Sequence, residues 1–412
     1  MIYVGIDIAK DKHDYCILGE GGKTLFEPRT IKNTKLGFKE LVNSIRQYED
    51  ENRDGDGDSD KDNSKVRIGL EDTGDYGDNL ISYLQKSHYT VCTINPLLTA
   101  NNKKANSLRK TKTDSIDAKQ IATMLLSGIG FKPKAILTQE DNDLKHYVRY
   151  RDSLVKRRSK EKTSVKRLVN SLFPELVKCG MSIHSNTMYA LLTNYSSAED
   201  ILKANEDEMT KIIVSNSRGR HGKETAIKLK ELASSTIGTY SKAKAYELTK
   251  TIERINGLSE EIKELEEIIE DLVKRTQHKF TTIPGIGKIS AAMIIAEVGD
   301  FSRFDNPNKL LAFAGMAPTT YQSGKYISNR AKMEKRGSTL LRQGLFFAAM
   351  GVCRVEPTFA LYLRKKLNEG KHYYVAISSV VRKLVRLIFA MEKSGSSYDP
   401  AKLLYEGLTY NR

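Results

Sequence analysis

The first hundred or so residues alternate short apolar runs with turn residues, a pattern typical of β-strands joined by tight turns. Strands are predicted over Ile2 to Ile8, His13 to Leu18, Thr24 to Ile31, Val66 to Leu70 and Thr90 to Ile94, with a turn at Gly19 to Gly22. Helical spacing predicts helices over about Thr34 to Tyr48, Tyr76 to Gln85 and Ser115 to Leu126. Strands first and interleaved helices later indicate an α/β domain, placed at residues 1–135.

From Gln139 onwards the apolar pattern becomes helical. Apolar residues spaced 3, 4, 3, 4, 3 predict a coiled coil of about three heptads within Leu248 to Val273. They are Ile255, Leu258, Ile262, Leu265, Ile269 and Leu272. This run would serve as a dimer contact or as an intramolecular hairpin, and the alternative is a single helix packed on its own domain. We therefore predict basic helices and a coiled coil over 136–278 and a mostly helical domain over 279–412, whereas 173–240 is helical but otherwise uninformative.

Length and charge narrow the class of protein. A chain of 412 residues is expected to form two or three domains, and 67 basic against 51 acidic residues give a net charge of +16 that favours polyanions. No apolar run reaches the roughly 18 to 20 residues of a membrane-spanning helix, and no signal peptide precedes the first strand. We expect a cytoplasmic protein without a membrane partner, whose four scattered cysteines are free thiols.

An acidic segment over residues 49–65 interrupts the first domain. Its alternating aspartates have the spacing of an EF-hand loop, but Ser59 stands in place of the turn glycine and Lys65 in place of the bidentate glutamate. A solvated loop is therefore predicted there rather than a calcium site.

Four carboxylates in the first domain suggest a metal site. Asp7 and Glu71 end predicted strands, and Asp114 and Asp117 are three apart on one face of a predicted helix. We choose Glu71 over its neighbour Asp72 because Glu71 directly ends the apolar run. Clustered carboxylates repel unless cations bind them, and oxygen-only ligands favour Mg²⁺ or Mn²⁺. Each one alone would be an ordinary turn or cap residue, so the prediction depends on the four together.

A strongly basic helix follows the first domain. Ten basic residues against three acids lie between Asn142 and Asn170, among them Lys156, Arg157 and Arg158. Such a helix repels itself unless an anion lies along it, which favours nucleic-acid binding over a solvated face.

A glycine-rich turn near residue 285 resembles a helix-hairpin-helix. Ile283-Pro284-Gly285-Ile286-Gly287-Lys288 precedes a predicted helix over Ala291 to Val298. Glycines permit a tight turn, and the following helix presents N–H groups to phosphate, so Gly285, Gly287 and Lys288 are predicted to contact a nucleic-acid backbone. A plain turn between helices is the alternative.

Ser323 lies in Gln322-Ser323-Gly324-Lys325 and is a candidate nucleophile. The basic residues near it, predicted to hold the target phosphate, are Lys325, Arg330, Lys332, Arg336 and Arg342; Lys112 is a further predicted nucleic-acid contact beside the Asp114 pair. A serine attacks phosphate only when it is activated or positioned, and a flexible turn that touches phosphate is the simpler interpretation. Ser328 and Ser338 are the rival serines.

The order of these motifs resembles the DEDD transposases of insertion sequences, often called bridge recombinases. The matching segments are GIDIAK at 5–10, GLE at 69–71, KTDSIDA at 112–118, IPGIG at 283–287, FAGMAP at 313–318, QSGK at 322–325 and RGSTLLR at 336–342. The resemblance implies a RuvC-like (RNase H-like) N-terminal domain, a coiled coil and a C-terminal transposase domain.

The same resemblance implies that Asp7, Glu71, Asp114 and Asp117 bind Mg²⁺ and that Ser323 bonds transiently to DNA. It also implies active sites shared between subunits of a dimer or tetramer, and a noncoding guide RNA. Ser338 stands where relatives often carry asparagine or aspartate, which disfavours it as the nucleophile. The acidic segment and residues 173–240 lengthen the chain relative to the compact family pattern.

Three other functions compete with a recombinase. A RuvC-like junction nuclease would use the same metal site with water as the nucleophile. A sugar-kinase-like or actin-like ATPase would need a Gly- and Thr-rich phosphate turn after Asp7, which Ile8-Ala9-Lys10 does not supply. A purely structural nucleic-acid-binding protein would require the carboxylates to be ordinary surface charge.

Overall fold

A computed structural model of the chain describes residues 1–51, 65–71, 74–106, 114–128, 132–133, 138–318, 322–323, 326–327 and 333–401. The chain forms two compact units, Met1–Ile136 and Leu137–Arg412. Most of the acidic segment at 49–65 lies outside the described residues. The predicted boundary at residue 278 stays a prediction.

The first unit is an α/β unit built on a six-stranded mixed sheet. Its elements are β1 (Ile2–Ile8), β2 (Lys12–Leu18), β3 (Thr24–Lys32), α1 (Lys35–Glu51), β4 (Val66–Glu71), α2 (Asp78–Lys86), β5 (Thr90–Ile94), α3 (Pro96–Asn106), α4 (Asp114–Leu126) and β6 (Lys132–Pro133). The strand order is β3-β2-β1-β4-β5-β6, in which β1, β4 and β5 are parallel and the remaining pairings are antiparallel.

The predicted strands and helices of this unit are confirmed to within three residues at their ends. Two elements were not predicted, namely α3 and the short β6. The prediction stopped at Pro96 because proline commonly marks the end of an element. Proline is equally suited to the first turn of a helix, and that is the position Pro96 takes in α3.

The two faces of the sheet carry different layers. Ile6 and its alternating neighbours in β1 pack in the main core of the unit with apolar residues of α1 and α2. The opposite face receives α4, which lies directly on β1 because Gly5 has no side chain. A Cβ atom at Gly5 would lie 2.2 Å from the backbone nitrogen of Ala122 and 2.3 Å from the carbonyl oxygen of Ala118. This close approach brings the start of α4 to the end of β1.

The second unit is largely helical. Its elements are α5 (Gln139–Leu172), α6 (Asn186–Asn194), α7 (Ala198–Lys203), α8 (Glu206–Ser217), α9 (Lys223–Ser234), α10 (Lys242–Arg275), α11 (Lys288–Val298), α12 (Pro307–Phe313), β7 (Gln322–Ser323), β8 (Tyr326–Ile327), α13 (Thr339–Val355), α14 (Pro357–Asn368) and α15 (Tyr373–Ser394).

The two longest helices, α5 and α10, pack against each other in antiparallel orientation. This pair is called the hairpin below, although α6 to α9 lie between its two helices in the sequence. Arg151 near the start of α5 bonds Glu266 near the end of α10, whereas Arg167 near the end of α5 bonds Glu247 near the start of α10. Leu154 of α5 packs with residues of the predicted heptad run. The run is therefore packed within its own unit, where α5 covers its apolar seam, and a coiled coil or a dimer contact stays a prediction.

The helices after α10 enclose the largest core of the second unit. Buried side chains of α11, α13 and α15 meet there, with Phe280, Ala348 and Val381 fully enclosed. Within the described part of the chain, no single helix is long and apolar enough to span a membrane; α13 and α14, bent by 105°, pass that test only when counted together. The four cysteines are free, as predicted.

Candidate functional site

Two predicted carboxylates stand at the same edge of the sheet. Asp7 is near the end of β1 and Glu71 ends the neighbouring parallel strand β4. The register pairs Ile6 with Leu70, so the next residue of each strand points to the same face of the sheet. That face is the one covered by α4, whose first turn carries Asp114 and Asp117.

The electrostatics of Asp7 show that the other three predicted carboxylates act on it. Burial, followed by the negative charges of Asp117, Glu71 and Asp114, raises the pKa of Asp7 to about 6. Lys103 opposes this rise only in part. The other three predicted carboxylates are therefore near enough to Asp7 to act on its charge, and these four residues are called the acidic cluster below.

Lysines from two other elements partly neutralise the cluster. Lys103 of α3 lies 2.5 Å from a carboxylate oxygen of Asp117, and Lys12 of β2 lies 2.9 Å from Asp114. Sequence analysis missed both lysines. It missed Lys103 because α3 was not predicted, and Lys12 because its position next to the cluster depends on strand pairing.

The partner of Glu71 also comes from α3. The Thr99 hydroxyl donates a hydrogen bond to the Glu71 carboxylate, and Thr99 itself is almost fully buried. This contact holds the Glu71 side chain toward α3 at the edge of the sheet.

A fifth carboxylate, Asp14, lies beside the cluster. Asp14 pairs with Asp7 in the antiparallel register of β1 and β2, and it is 5 % exposed. It accepts a 2.5 Å hydrogen bond from the Thr30 hydroxyl and lies 3.4 Å from the Lys12 ammonium group. Asp14 could have been predicted from its position opposite Asp7 on the neighbouring strand.

The cluster fits a hard divalent cation by its donor atoms. Its ligand candidates are carboxylate oxygens, the donors that Mg²⁺ and Mn²⁺ prefer, and burial and neighbouring negative charge both raise the pKa of Asp7. Among the described residues, no three His, Cys, Asp or Glu side chains converge closely enough to hold a metal as they stand. The lysine pairs at Asp114 and Asp117 occupy carboxylate oxygens that a cation would use.

In the second unit, the turn predicted as a helix-hairpin-helix connects α10 to α11. Gly285 has a φ of +94°, and a Cβ atom there would lie 2.6 Å from the carbonyl oxygen of Gly351, so this glycine permits close packing on α13. Gly287 precedes α11 and is exposed. Lys288 is also exposed and pairs with Glu270 at 2.6 Å.

The predicted basic residues of α5 lie along the hairpin. Lys156 pairs with Asp152 of its own helix at 2.6 Å, and Arg158 donates to the Ser259 hydroxyl of α10 at 3.3 Å. Arg157 is exposed to solvent. The structure thus gives two of these three side chains protein partners.

Ser323 lies in a short antiparallel hairpin. Gln322 and Ser323 in β7 pair with Ile327 and Tyr326 in β8, so Ser323 is the last residue of its strand. The predicted residues Lys112, Lys325, Arg330, Lys332 and Ser328 lie outside the described residues.

The two remaining predicted arginines differ in their surroundings. The Arg336 side chain is 80 % exposed, with the Glu334 carboxylate 4.0 Å away. Arg342 donates a 2.8 Å hydrogen bond to the carbonyl oxygen of Ala314 at the end of α12. Arg342 therefore stabilises the end of a helix.

The rival Ser338 is the N-cap of α13. Its hydroxyl accepts from the Leu341 amide and donates to the Glu297 carboxylate at 2.7 Å. Arg149 also bonds Glu297, at 2.8 Å. Burial acts to raise the pKa of Glu297, but the bonds from Arg149 and Ser338 outweigh it, and the pKa lies below its usual value.

Three sequence families match this chain. A family described as "Transposase", of the DEDD type, matches residues 4–174, and "Transposase IS116/IS110/IS902 family" matches residues 277–364. A "SAM-like Helix-hairpin-helix tandem" matches residues 253–300, which contain the turn at Gly285. These matches define a transposase, an enzyme that acts on DNA.

Curated relatives align along nearly the whole chain. The pilin gene-inverting protein of Moraxella bovis is 24 % identical over 404 residues, covering 96 % of this chain and 97 % of the relative. A 44.8 kDa protein of the insertion element IS116 from Streptomyces clavuligerus is 23 % identical, covering 97 % and 96 %. A mini-circle putative transposase for IS117 from Streptomyces coelicolor is 21 % identical, covering 91 % and 90 %. The chain belongs to the IS110 family of insertion-sequence transposases.

Proposed function

We propose that this enzyme breaks and rejoins DNA with Ser323 as nucleophile and with divalent metal held by Asp7, Glu71, Asp114 and Asp117. The observation that carries the proposal is that burial and the nearby charges of Asp117, Glu71 and Asp114 together raise the pKa of Asp7 to about 6. Perturbed carboxylates in one cluster are typical of functional sites. The order of the mixed sheet, with Asp7 and Glu71 on adjacent parallel strands, supports a RuvC-like fold for the first unit.

The metal would be Mg²⁺, with Mn²⁺ as a substitute. When bound, it supplies positive charge that polarises a phosphate and stabilises the leaving oxygen. Asp7 and Glu71 would approach it from the sheet, and Asp114 and Asp117 from α4. Lys12 and Lys103 neutralise the last two carboxylates and would move aside when the cation binds.

Ser323 would attack the phosphorus atom of a DNA phosphodiester. A bond from the serine oxygen to phosphorus forms as the bond from phosphorus to one deoxyribose oxygen breaks, and the serine hydroxyl proton passes through solvent to that leaving oxygen. The products are a phosphoserine ester and a free DNA hydroxyl, and attack by another DNA hydroxyl reverses the step. The engagement of Ser338 as a helix cap favours Ser323 between these two serines.

Further partners follow from the same proposal. The basic surface of α5 and the turn near Gly287 would contact nucleic-acid backbone, and a noncoding guide RNA would select the DNA. The protein would act as a dimer or tetramer through the coiled-coil hairpin. Since α5 and α10 bury their facing seam, the outer side of the hairpin would supply that contact.

The test is adduct formation on a nicked donor DNA that traps a covalent intermediate. Ser323→Ala should lose the protein–DNA adduct and strand transfer while it retains DNA binding, and Ser328→Ala is the matched control that should keep the adduct. A normal amount of adduct from Ser323→Ala would rule out the serine assignment.

The same variant separates the recombinase from a hydrolytic nuclease. All four carboxylates belong to the first unit, which is also what a RuvC-like junction nuclease needs. If water is the nucleophile, Mg²⁺-dependent cleavage persists in Ser323→Ala and no adduct forms with either protein.

A further inference from the structure

The helices α14 and α15 carry an unusually positive surface. Residues 357–386 contain seven lysines and arginines and a single acid, Glu369. Lys366 and Lys371 both bond that carboxylate, at 2.8 and 2.9 Å, which lowers the pKa of Glu369 to about 2. The one acid in this segment therefore offsets only a small part of its charge.

The positive charges gather around Tyr362. The Lys383 ammonium group lies 4.0 Å from the centre of the Tyr362 ring and the Lys366 ammonium group 5.4 Å from it. Partial burial and the charges of Lys365, Lys366 and Arg386 lower the pKa of Lys383. The cations thus repel one another, and an anion bound among them would relieve that repulsion.

An aromatic group continues this surface at the start of α15. His372 stacks on Tyr374 with ring centres 5.8 Å apart, and Tyr373 meets Tyr374 edge-on at 5.5 Å. Tyr373 is 42 % exposed and Tyr374 is 63 % exposed. Lys371 immediately precedes these rings and shares Glu369 with Lys366, so the aromatic group lies next to the Lys366 end of the positive surface.

We propose that this surface, formed by Tyr362, Lys365, Lys366, Tyr373, Tyr374 and Lys383, binds single-stranded DNA. Lysine ammonium groups complement the phosphates, and exposed aromatic rings provide faces on which unpaired bases stack. Duplex DNA hides its base faces, so the exposed rings favour a single strand. DNA is the polymer on which this enzyme class acts, and strand exchange exposes single strands. Most of this surface lies beyond the family match that ends at residue 364.

The proposal rests on the proposed function only for the choice of DNA. Binding can therefore be measured with chemistry switched off, by fluorescence anisotropy of the full-length protein with a labelled oligothymidine of about twelve nucleotides in EDTA. Evidence against the serine or the metal mechanism would not change this binding result, so each proposal can be disproved without the other.

Tyr373→Ala with Tyr374→Ala should weaken binding by about tenfold to a hundredfold, because each stacked base contributes substantially to affinity. The corresponding phenylalanine variant keeps the ring faces and should bind like the wild type. Tyr246→Ala is the matched control, since that tyrosine is 67 % exposed and also has a lysine over its ring. Alanine variants that bind within twofold of the wild type would overturn the proposal.

Replacing Lys365, Lys366 and Lys383 by glutamine gives a second, independent readout. The slope of log affinity against log salt concentration should become shallower by about 2 for these three charges. Lys263→Gln on α10 is the control and should leave the slope unchanged. An unchanged slope in the triple variant, or RNA of the same sequence bound more than about tenfold tighter than DNA, would contradict the assignment to single-stranded DNA.

Discussion

Asp7 in the first unit and Glu297 in the second are both shielded carboxylates, yet their pKa values move in opposite directions. Burial, together with the negative charges of three further carboxylates, raises the pKa of Asp7 to about 6. Glu297 is more deeply buried but accepts bonds from Arg149 and Ser338, and its pKa falls. The difference teaches that partners, rather than burial alone, decide whether a buried acid stabilises the fold or prepares a site for a cation.

The largest expected effect is on activity. Asp7→Asn should reduce DNA cleavage by at least about a hundredfold, equivalent to about 2.7 kcal/mol of barrier, because it removes a ligand charge from the cluster. It should not lower the thermal midpoint, since it also removes repulsion. Gel assays of cleavage and thermal unfolding test both parts, with Asp305→Asn on an exposed turn as control. Cleavage within threefold of the wild type would mean that Asp7 is not a metal ligand.

The second effect concerns stability. Glu297→Ala should lower the free energy of unfolding by about 2–3 kcal/mol, because Arg149 and Ser338 both lose their buried acceptor. Glu297→Gln can still accept from Ser338 and should lose less. Chemical denaturation measures the difference, and equal losses for the two variants would show that charge, rather than hydrogen bonding, dominates at this site.

The third prediction concerns the close packing of α4 on β1 at Gly5, which holds Asp117 near Asp7. Gly5→Ala should destabilise the first unit by about 1–3 kcal/mol and reduce cleavage, because the added methyl group would push α4 and Asp117 away from β1. Gly257→Ala in the middle of α10 is the matched control. A Cβ atom there meets nothing within 4 Å, so this change should stabilise by about 0.5–1 kcal/mol. Unchanged cleavage in Gly5→Ala would show that the close packing of α4 on β1 is not needed for activity.

The smallest effect is a pH dependence in metal-free buffer. The pKa of Asp7 rises from 3.8 to about 6 on folding, so the folded state binds more protons between these values and stability falls as pH rises through them. After allowance for solvent screening, the loss is about 1–2 kcal/mol. Added Mg²⁺ should recover it at pH 7.

Glu297 should act in the opposite sense. Its pKa is lowered on folding, so its contribution is present above its ordinary pKa of 4.5 and is lost as pH falls further. Unfolding curves of Asp7→Asn and Glu297→Gln between pH 3 and 7 would separate the two contributions. If Asp7→Asn leaves the pH dependence of the free energy of unfolding unchanged, that dependence belongs to another group.

Much of the first unit could be predicted from local patterns. Apolar alternation fixes where β1 and β4 end, and the carboxylates that follow them are visible as strand-end residues. The helix α3 could not be predicted, because a proline such as Pro96 is suited both to the end of one element and to the first turn of a helix. Thr99 and Lys103, the partners of Glu71 and Asp117, were lost with it.

Other features depend on contacts between residues far apart in sequence. The glycine motif at Gly285 predicted a turn, but its closest neighbour, Gly351, is visible only once α13 is packed. The heptad run could not show which helix covers its apolar seam, because that depends on contact with Leu154 of α5. The residues around Ser323 remain predictions from the motif.

The pairing of α5 with α10 also sets an order in which the protein can fold during its synthesis. About 70 residues lie between the end of α5 at Leu172 and the start of α10 at Lys242, so at about 5–20 residues per second roughly 4–14 s pass between the synthesis of the two helices. The end of α5 can pack meanwhile on α6, α8 and α9, which share its core. Leu154 meets no residue of another helix in its cluster until Leu258 of α10 is made, so this stretch of α5 keeps an uncovered apolar side chain until then.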